Sequence, residues 1–149
     1  MALALSIQGQ DRFEGLPARS TLRRWIVAAL ERDAELTLRF AGAAEARRLN
    51  REFRGKDHAT NVLTFDYQHA PLVRADIVLC VPVVRREARE QRKGFREHLA
   101  HLVVHGSLHA QGHDHDRAAS AKTMEALEVR ILAGLGIDDP YREGGVAGG

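Results

Sequence analysis

The sequence predicts one α+β (mixed α/β) domain, a small mixed sheet of about four strands packed with helices. Three observations predict it. A chain of 149 residues is an ordinary length for one domain. With 44% hydrophobic and 28% charged residues, its composition is that of a globular protein and not of a disordered or fibrous one. Segments with strand periodicity precede the longest helical segments, and short helices are interleaved between them.

Four segments have the pattern of strands, at residues 2–8, 34–41, 61–65 and 76–81. The first two alternate apolar and polar residues, which is the period of a half-buried strand. The fourth is a continuous apolar run that Pro82 closes, and such a run predicts a central strand covered on both faces.

Helical periodicity predicts five helices. The first begins near Pro17, a residue suited to a first helical turn. Three more are expected at residues 43–53, 83–91 and 95–111. The last should be capped by Asp116 and should end at Gly134 and Gly136.

The predicted helix at residues 43–53 is amphipathic. Its inward face is expected to carry Ala46, Leu49 and Phe53. The opposite face carries basic residues at positions i, i+4 and i+7, namely Arg47, Arg51 and Arg54.

Charge is unevenly distributed, although the net charge is only +2. Residues 47–56 and residues 85–96 each carry a local balance of +4, whereas residues 125–143 carry −3. Basic patches favour a polyanionic partner, and ordinary solvated helix faces are the alternative interpretation.

Cysteine content and hydropathy predict a cytoplasmic protein. Cys80 is the single cysteine, so no internal disulfide can form and a reducing compartment fits best. No apolar run approaches the ~20 residues of a membrane span. Residues 1–7 are too short and lack the charge of a signal peptide. We expect the domain to cover residues 1–141 and residues 142–149 to form a flexible Gly-rich tail.

Six of the eight histidines lie between positions 98 and 115. His105 and His109 are four residues apart on a predicted helix, so their rings project from one face, as two ligands of one metal ion would. Gly112 can turn the backbone sharply and return His115 to the same ion. Three imidazoles with an open fourth position are typical of catalytic zinc, and one Zn²⁺ per chain is predicted.

Other histidines near this segment leave alternatives open. His98 and His101 fall near the same helix face, and a ligand pair of His101 with His105 would leave Gly112 and His115 unexplained. His113 is adjacent to the predicted site, either beside a ligand or exposed.

The spacing also matches the metzincin zinc-peptidase pattern, with one change. Gly106 stands where those enzymes have the glutamate that acts as general base. The sequence therefore disfavours a peptidase. Asp114 is a candidate base, although its place beside a ligand suits a turn better.

Three sequence blocks carry a resemblance. They are LNREFRGKDHATNVLTF at residues 49–65, HGSLHAQGHDH at residues 105–115, and MEALE at residues 124–128 followed by LG at 135–136 and DPY at 139–141. Together they resemble the bacterial YbeY-type endoribonucleases, or rRNA maturation factors. The chain departs from the family pattern at His113, where tyrosine is usual.

The resemblance implies a fold related to zinc proteases, with zinc bound by His105, His109 and His115 and with Arg54 as the functional arginine of a basic cleft. It implies metal-dependent cleavage of single-stranded RNA, in small-subunit rRNA 3′-end maturation and ribosome quality control. Arg47, Arg51 and Lys56 are then candidate RNA contacts. The expected partners are rRNA and the small ribosomal subunit with its proteins, without a membrane or DNA.

Two other functions stay open at this point. The protein could be a non-catalytic ribosome-assembly factor with a structural zinc, because no obvious general base accompanies the histidines. A zinc peptidase-like hydrolase is the less favoured reading. Aromatic residues are only 5% of the chain, so RNA binding is expected to depend on backbone contacts and to be weakly sequence-specific.

Overall fold

A four-stranded sheet and five α-helices make up the described part of the chain, residues 2–113 and 118–142 of a computed structural model. The strands are β1 (Leu3–Gln8), β2 (Ala34–Ala41), β3 (Val62–Gln68) and β4 (Val73–Cys80). The helices are α1 (Arg19–Ala29), α2 (Ala43–Arg54), α3 (Val81–Glu90), α4 (Phe95–Ala110) and α5 (Ala118–Gly134), and a 3₁₀ turn spans Gln10–Arg12.

The sheet is mixed, with strand order β1-β2-β4-β3. Strands β1, β2 and β4 run parallel, and β3 is antiparallel to β4. Leu36 of β2 is in register with Leu5 of β1 and with Ala75 of β4. The predicted α+β class, the four strands and the central place of the apolar strand β4 are confirmed.

The main core fills the space between one face of the sheet and helices α1, α3, α4 and α5. Alternate residues of β2 point into it, as the period of two requires. Its largest fully buried side chains include Trp25, Phe40, Leu22, Ile77, Leu99 and Leu132. Helix α2 covers part of the opposite face, where Leu49 packs on Leu63 and Val78.

The element bounds differ from the prediction mainly at the ends of strands. β3 continues to Gln68 and β4 begins at Val73, because the two strands stay paired as a hairpin where the exposed residues Asp66, Tyr67 and Arg74 interrupt the apolar pattern. Helix α3 begins at Val81, so Pro82 lies in its first turn. This is a position that needs no backbone N–H.

The predicted inward face of α2 is wrong at Phe53. Its side chain is 63% exposed and packs edge-on against Phe65, with the ring centroids 5.4 Å apart. Ala46 is buried as predicted, and Asn50 is the other buried residue of α2. Phe53 lies in the last turn of α2, and its ring lies over the half-buried Phe65 instead of entering the core.

Helix α4 lies unusually close to the sheet at Gly106. A Cβ atom at this position would lie 2.9 Å from Ile77 Cγ2, so the helix can approach β4 only because residue 106 has no side chain. At its end, Gly112 adopts a φ of 98°. This left-handed conformation suits glycine, and it confirms the predicted sharp turn after α4.

The helices of residues 2–113 and 118–142 include none with the length and hydropathy to cross a membrane.

Candidate functional site

A cleft of about 350 Å³ opens between the second half of α4 and the segment that runs from α2 into β3. Its walls are formed by Asn50, Arg54, Lys56, His58, Thr60, Val62, Leu63, Thr64, His105 and His109. The cleft therefore joins two of the sequence blocks that were singled out, residues 49–65 and residues 105–115.

Helix α4 supplies one wall through His105 and His109. Both rings are half-buried, and both line the cleft, as their spacing of four residues predicts. Gly106 holds this part of α4 against β3 and β4, because the position also lies near Thr64 and Val62. The close approach brings the two rings to the edge of the sheet where the cleft begins.

The opposite wall is basic. Arg54, the last residue of α2, donates a hydrogen bond of 2.7 Å from Nη2 to the carbonyl oxygen of Thr64. Its guanidinium carbon also lies 5.9 Å from the centre of the Phe65 ring. Lys56 lies two residues further along the same wall. Arg54 is thus held in the cleft wall by contacts with β3.

Arg47 and Arg51 of α2 are directed to a different partner. Arg47 forms two hydrogen bonds of 2.8 and 2.9 Å with the carboxylate of Asp57, and Arg51 lies 3.7 Å from the same carboxylate. The hydrogen bond with Arg47 lowers the pKa of Asp57. The structure therefore brings Arg54 and Lys56 together with His105 and His109, while Arg47 and Arg51 pair with Asp57.

Two asparagines shape the cleft wall between α2 and β3. Asn50, buried on α2, donates a 2.9 Å hydrogen bond to the carbonyl oxygen of His58. Asn61 accepts the backbone N–H of Val62 at 2.6 Å and donates to Glu87 Oε1 at 3.0 Å. Residues 55–61 form neither a helix nor a strand, and these hydrogen bonds fix the loop in place.

Glu87 connects that loop to the first histidine of α4. Its Oε1 lies 2.9 Å from Nε2 of His98, a residue that is only 3% exposed. Burial lowers the pKa of His98, although the bond with Glu87 acts in the opposite direction. His98 is therefore held as a neutral ring inside the protein, away from the cleft.

Glu128 forms a second buried carboxylate cluster behind His105. Its Oε1 lies 2.8 Å from His101 Nε2 and also accepts a hydrogen bond from the hydroxyl of Tyr141, and its Oε2 lies 2.7 Å from His105 Nδ1. The Glu128 side chain is 0% exposed. Burial raises its pKa, but the bonds from the two histidines and the tyrosine outweigh burial and lower the pKa to about 2.

His101, His105 and Glu128 form a group that could hold a metal ion, since their donor atoms lie within 4.8 Å of one another. Within this group the two histidine–carboxylate distances are 2.7 and 2.8 Å. Ligands of a tetrahedral zinc ion at 2.0–2.1 Å stay about 3.3 Å apart. The group as it stands is hydrogen-bonded and not arranged around an ion. His105 has the cleft on one side and the Glu128 cluster on the other.

The remaining predicted site residues are placed as follows. His113 is half-buried, and its Nε2 lies 2.6 Å from Glu31 Oε1. Its ring does not line the cleft. His115, Asp114 and Asp116 lie outside the described residues. The role of His115 as a metal ligand therefore stays a prediction.

Glu128 is not among the site residues predicted from the sequence, although the sequence contains a signal for it. Glu128 lies four residues after Met124 and four before Leu132, both of which are buried on α5. A carboxylate in the middle of an apolar stripe is rare unless it has partners. The place of Glu128 in this apolar stripe therefore indicates a buried polar contact. The Glu87–His98 pair had no comparable signal, because Glu87 stands in a charged run.

Comparison with protein families and curated proteins gives one consistent result. The profile of a family described as "Endoribonuclease YbeY" matches residues 10–136. A protein of that name from Polaromonas naphthalenivorans is 58% identical over 125 residues, 83% of each chain. Another from Acidovorax sp. is 57% identical over 145 residues, covering 93% of this chain and 95% of the relative.

A solved structure shares the fold. The solution structure of a Thermotoga maritima protein matches with a TM-score of 0.56 over 93% of this chain and 99% of its own. The two sequences are 23% identical, so this likeness bears on the fold alone.

Proposed function

The chain belongs to the YbeY endoribonuclease family, and we propose that it cleaves single-stranded RNA at the cleft between α4 and β3, with one zinc ion as cofactor. The observation that carries this proposal is the composition of the cleft. Two histidines with metal-ligand spacing face a wall that contains Arg54 and Lys56. A metal-dependent nuclease uses a cationic side chain to bind phosphate and a metal ion as Lewis acid, and this cleft offers groups for both.

The metal ligands we propose are His105, His109 and His115. The donor chemistry fits: imidazole nitrogens suit zinc, and the two described rings line one cleft a helical turn apart. The turn at Gly112, with its φ of 98°, supports a return of the chain toward the same ion. A zinc ion supplies Lewis-acid chemistry at a phosphoryl oxygen.

Arg54 binds and orients the substrate phosphate in this proposal. Its guanidinium is a planar set of five N–H donors that matches a phosphate, and the bond to Thr64 uses one of them. The contact with Phe65 limits the directions that the guanidinium can take. Lys56 and the two ion-paired arginines, Arg47 and Arg51, add positive charge along the same chain segment, where the RNA backbone would run.

Gly106 argues against peptide hydrolysis. In zinc peptidases the residue after the first histidine is the glutamate that acts as general base. Here a Cβ atom at position 106 would already lie 2.9 Å from Ile77. Because α4 leaves no space for a side chain at this position, the standard peptidase mechanism would lack its proton acceptor here.

The cellular substrate we propose is rRNA of the small ribosomal subunit, with cleavage in 3′-end maturation and ribosome quality control in the cytoplasm. The resemblance of residues 49–65 and 105–115 to rRNA maturation factors supports it. The buried free thiol of Cys80 is in keeping with a reducing compartment.

A low-background nuclease assay tests the proposed activity. A labelled single-stranded RNA oligomer is incubated with the purified protein, with the His109→Ala variant and with His69→Ala, each prepared in parallel. His69 is an exposed histidine that pairs with Asp66 at 2.7 Å and does not line the cleft. It therefore controls for the loss of a histidine as such.

The parent and His69→Ala should cleave the oligomer, lose activity in a chelator and regain it with zinc. His109→Ala should be slower by at least about 100-fold, because Lewis-acid stabilisation supplies several kcal/mol. Equal cleavage by all three preparations would identify a contaminating ribonuclease. Undiminished cleavage by the parent in a chelator would overturn the metal-dependent reaction.

A further inference from the structure

Glu128 is a charged group in an otherwise apolar position. It lies in the core stripe of α5 between Met124 and Leu132, and its side chain is 0% exposed. An unpartnered carboxylate there would be strongly destabilising, and even a paired one stabilises a fold less than a well-packed apolar residue often does. Core packing alone therefore does not account for a glutamate at this place.

The partners of Glu128 hold both of its oxygens. Oε1 receives hydrogen bonds from His101 Nε2, at 2.8 Å, and from the Tyr141 hydroxyl, which itself lies 3.2 Å from the same histidine nitrogen. Oε2 is directed to His105 Nδ1 at 2.7 Å. The contacts at Oε1 prevent the carboxylate from rotating away from His105.

An ionised carboxylate only accepts hydrogen bonds, so the ring nitrogens that face Glu128 must carry the protons. For His105 this selects the tautomer with the proton on Nδ1. The lone pair of a neutral His105 then lies on Nε2, on the side of the ring away from Glu128. The same ring lines the cleft in which we propose the zinc ion.

We propose that Glu128 is a positioning residue for the metal centre: its carboxylate fixes the tautomer and the orientation of His105, so that Nε2 is presented to the ion. His101 and Tyr141 support it by holding the second carboxylate oxygen. Such a carboxylate behind a histidine ligand raises the basicity of the ligand and fixes its geometry. This inference rests on the proposed zinc site and extends it to α5 and to the segment after it.

Zinc affinity of the full-length protein tests the inference. Parent, Glu128→Gln and Glu87→Gln are stripped of metal and titrated with zinc in competition with a chelator of known affinity. Glu87→Gln is the matched control, because Glu87 is also a carboxylate that holds a histidine of α4, namely His98, but it does not contact His105. Melting temperatures of the apo proteins report the stability of each variant.

Glu128→Gln should bind zinc 10–100-fold more weakly than the parent, the range typical of partners behind metal ligands. Glu87→Gln should keep the parental affinity. An affinity of Glu128→Gln equal to that of the parent, while the parent binds one zinc ion, would overturn the inference and leave the proposed function intact. A parent that binds no zinc would instead refute the proposed function.

A spectroscopic measurement separates positioning from support of the fold, and it needs no stable variant. Nitrogen-15 NMR of the histidine rings in the parent should show His105 protonated at Nδ1, with this proton retained after zinc is added. A zinc-loaded parent in which His105 carries its proton on Nε2 would overturn the inference. That result would mean that the ion binds His105 through Nδ1, on the side of the ring that faces Glu128.

Discussion

The histidines of α4 have two different environments at the two ends of the same row. His98 and His101, in the first half of the helix, contact the carboxylates of the half-buried Glu87 and the fully buried Glu128. His105 and His109, in the second half, line the cleft. The two ends share one helix and similar spacing, but one end connects the helix to the fold and the other faces the space where a substrate can enter.

The two environments differ because the two halves of α4 pack against different elements of the fold. The first half of α4 faces α3 and α5, which supply the carboxylates of Glu87 and Glu128. The second half crosses the sheet at Gly106 and reaches its open edge beside β3. His105 belongs to both environments, with Nδ1 on Glu128 and the ring in the cleft. Contact with a carboxylate therefore does not by itself distinguish a structural histidine from a candidate ligand, whereas a place in the cleft wall does.

The arginines of α2 extend the comparison and give the largest expected effect. Arg54→Glu should reduce cleavage of single-stranded RNA by at least about 100-fold, since an electrostatic stabiliser of this kind contributes ~2.7–4 kcal/mol. Zinc content should stay at the parental level. The free energy of unfolding should fall by ~1 kcal/mol or less, because Arg54 is an exposed residue with a single carbonyl bond.

Arg74→Glu is the control, since Arg74 is an exposed arginine that pairs with Glu35 at 3.2 Å and does not line the cleft. Steady-state cleavage rates and the salt dependence of RNA binding compare the two variants. If Arg54→Glu is folded, zinc-loaded and as active as Arg74→Glu, Arg54 has no part in the reaction. The RNA path would then have to run elsewhere, over the basic segment at residues 85–96.

Gly106 controls where the cleft end of the histidine row meets the sheet. In Gly106→Ala the new methyl group would lie 2.9 Å from Ile77 Cγ2, and α4 or β4 would have to move. Overpacking of this kind typically costs 1–3 kcal/mol, measured as the free energy of unfolding in urea. Gly134→Ala is the control, because nothing lies within 4 Å of a Cβ at that end of α5. Equal stability of the two variants would contradict the close approach.

The buried end of the row gives the smallest effect, in the pH dependence of stability. Burial lowers the pKa of His98 below its ordinary value of 6.5, with His101 and Lys93 adding to the effect and Glu87 opposing it. In the unfolded chain, His98 therefore binds a proton at a higher pH than it does in the folded protein. The stability contribution is complete above pH 6.5 and is lost as the pH falls below it.

His98→Gln keeps a donor for Glu87 but cannot titrate. In chelator, the free energy of unfolding of the parent should fall more steeply than that of His98→Gln between about pH 7 and pH 5.5. Identical slopes for the two proteins would mean that His98 is protonated equally well in the folded and unfolded states.

Much of the fold was predictable, because the apolar period marks buried faces directly. Strand β2 has the predicted bounds, and α4 begins at the predicted Phe95. The pattern was wrong at Phe53, since periodicity identifies a face but not where the sheet beneath it ends. It also missed the first residues of β4 and the last of β3, where the exposed polar residues Asp66 and Arg74 interrupt the apolar pattern although the two strands still pair.

The site was predictable in part. The spacing of His105 and His109 indicates a shared face because a helix repeats about every four residues, and the structure brings both to one cleft. The sequence could not predict the contact between Glu128 and His105, because the two residues lie on different helices and are 23 positions apart in the chain. It also could not distinguish Arg54 from Arg51. Both arginines lie in the last turn of α2, but Arg54 contacts Thr64 whereas Arg51 lies near Asp57.

The position of zinc in crystals of the metal-loaded protein tests the central comparison most directly. Anomalous diffraction at the zinc edge should locate one ion in the cleft, about 2.0–2.1 Å from ring nitrogens of His105 and His109. Glu128 should remain at hydrogen-bond distance from His105 Nδ1. An ion coordinated by Glu128 and His101 would contradict the account, because the buried end of the row would then be the metal site.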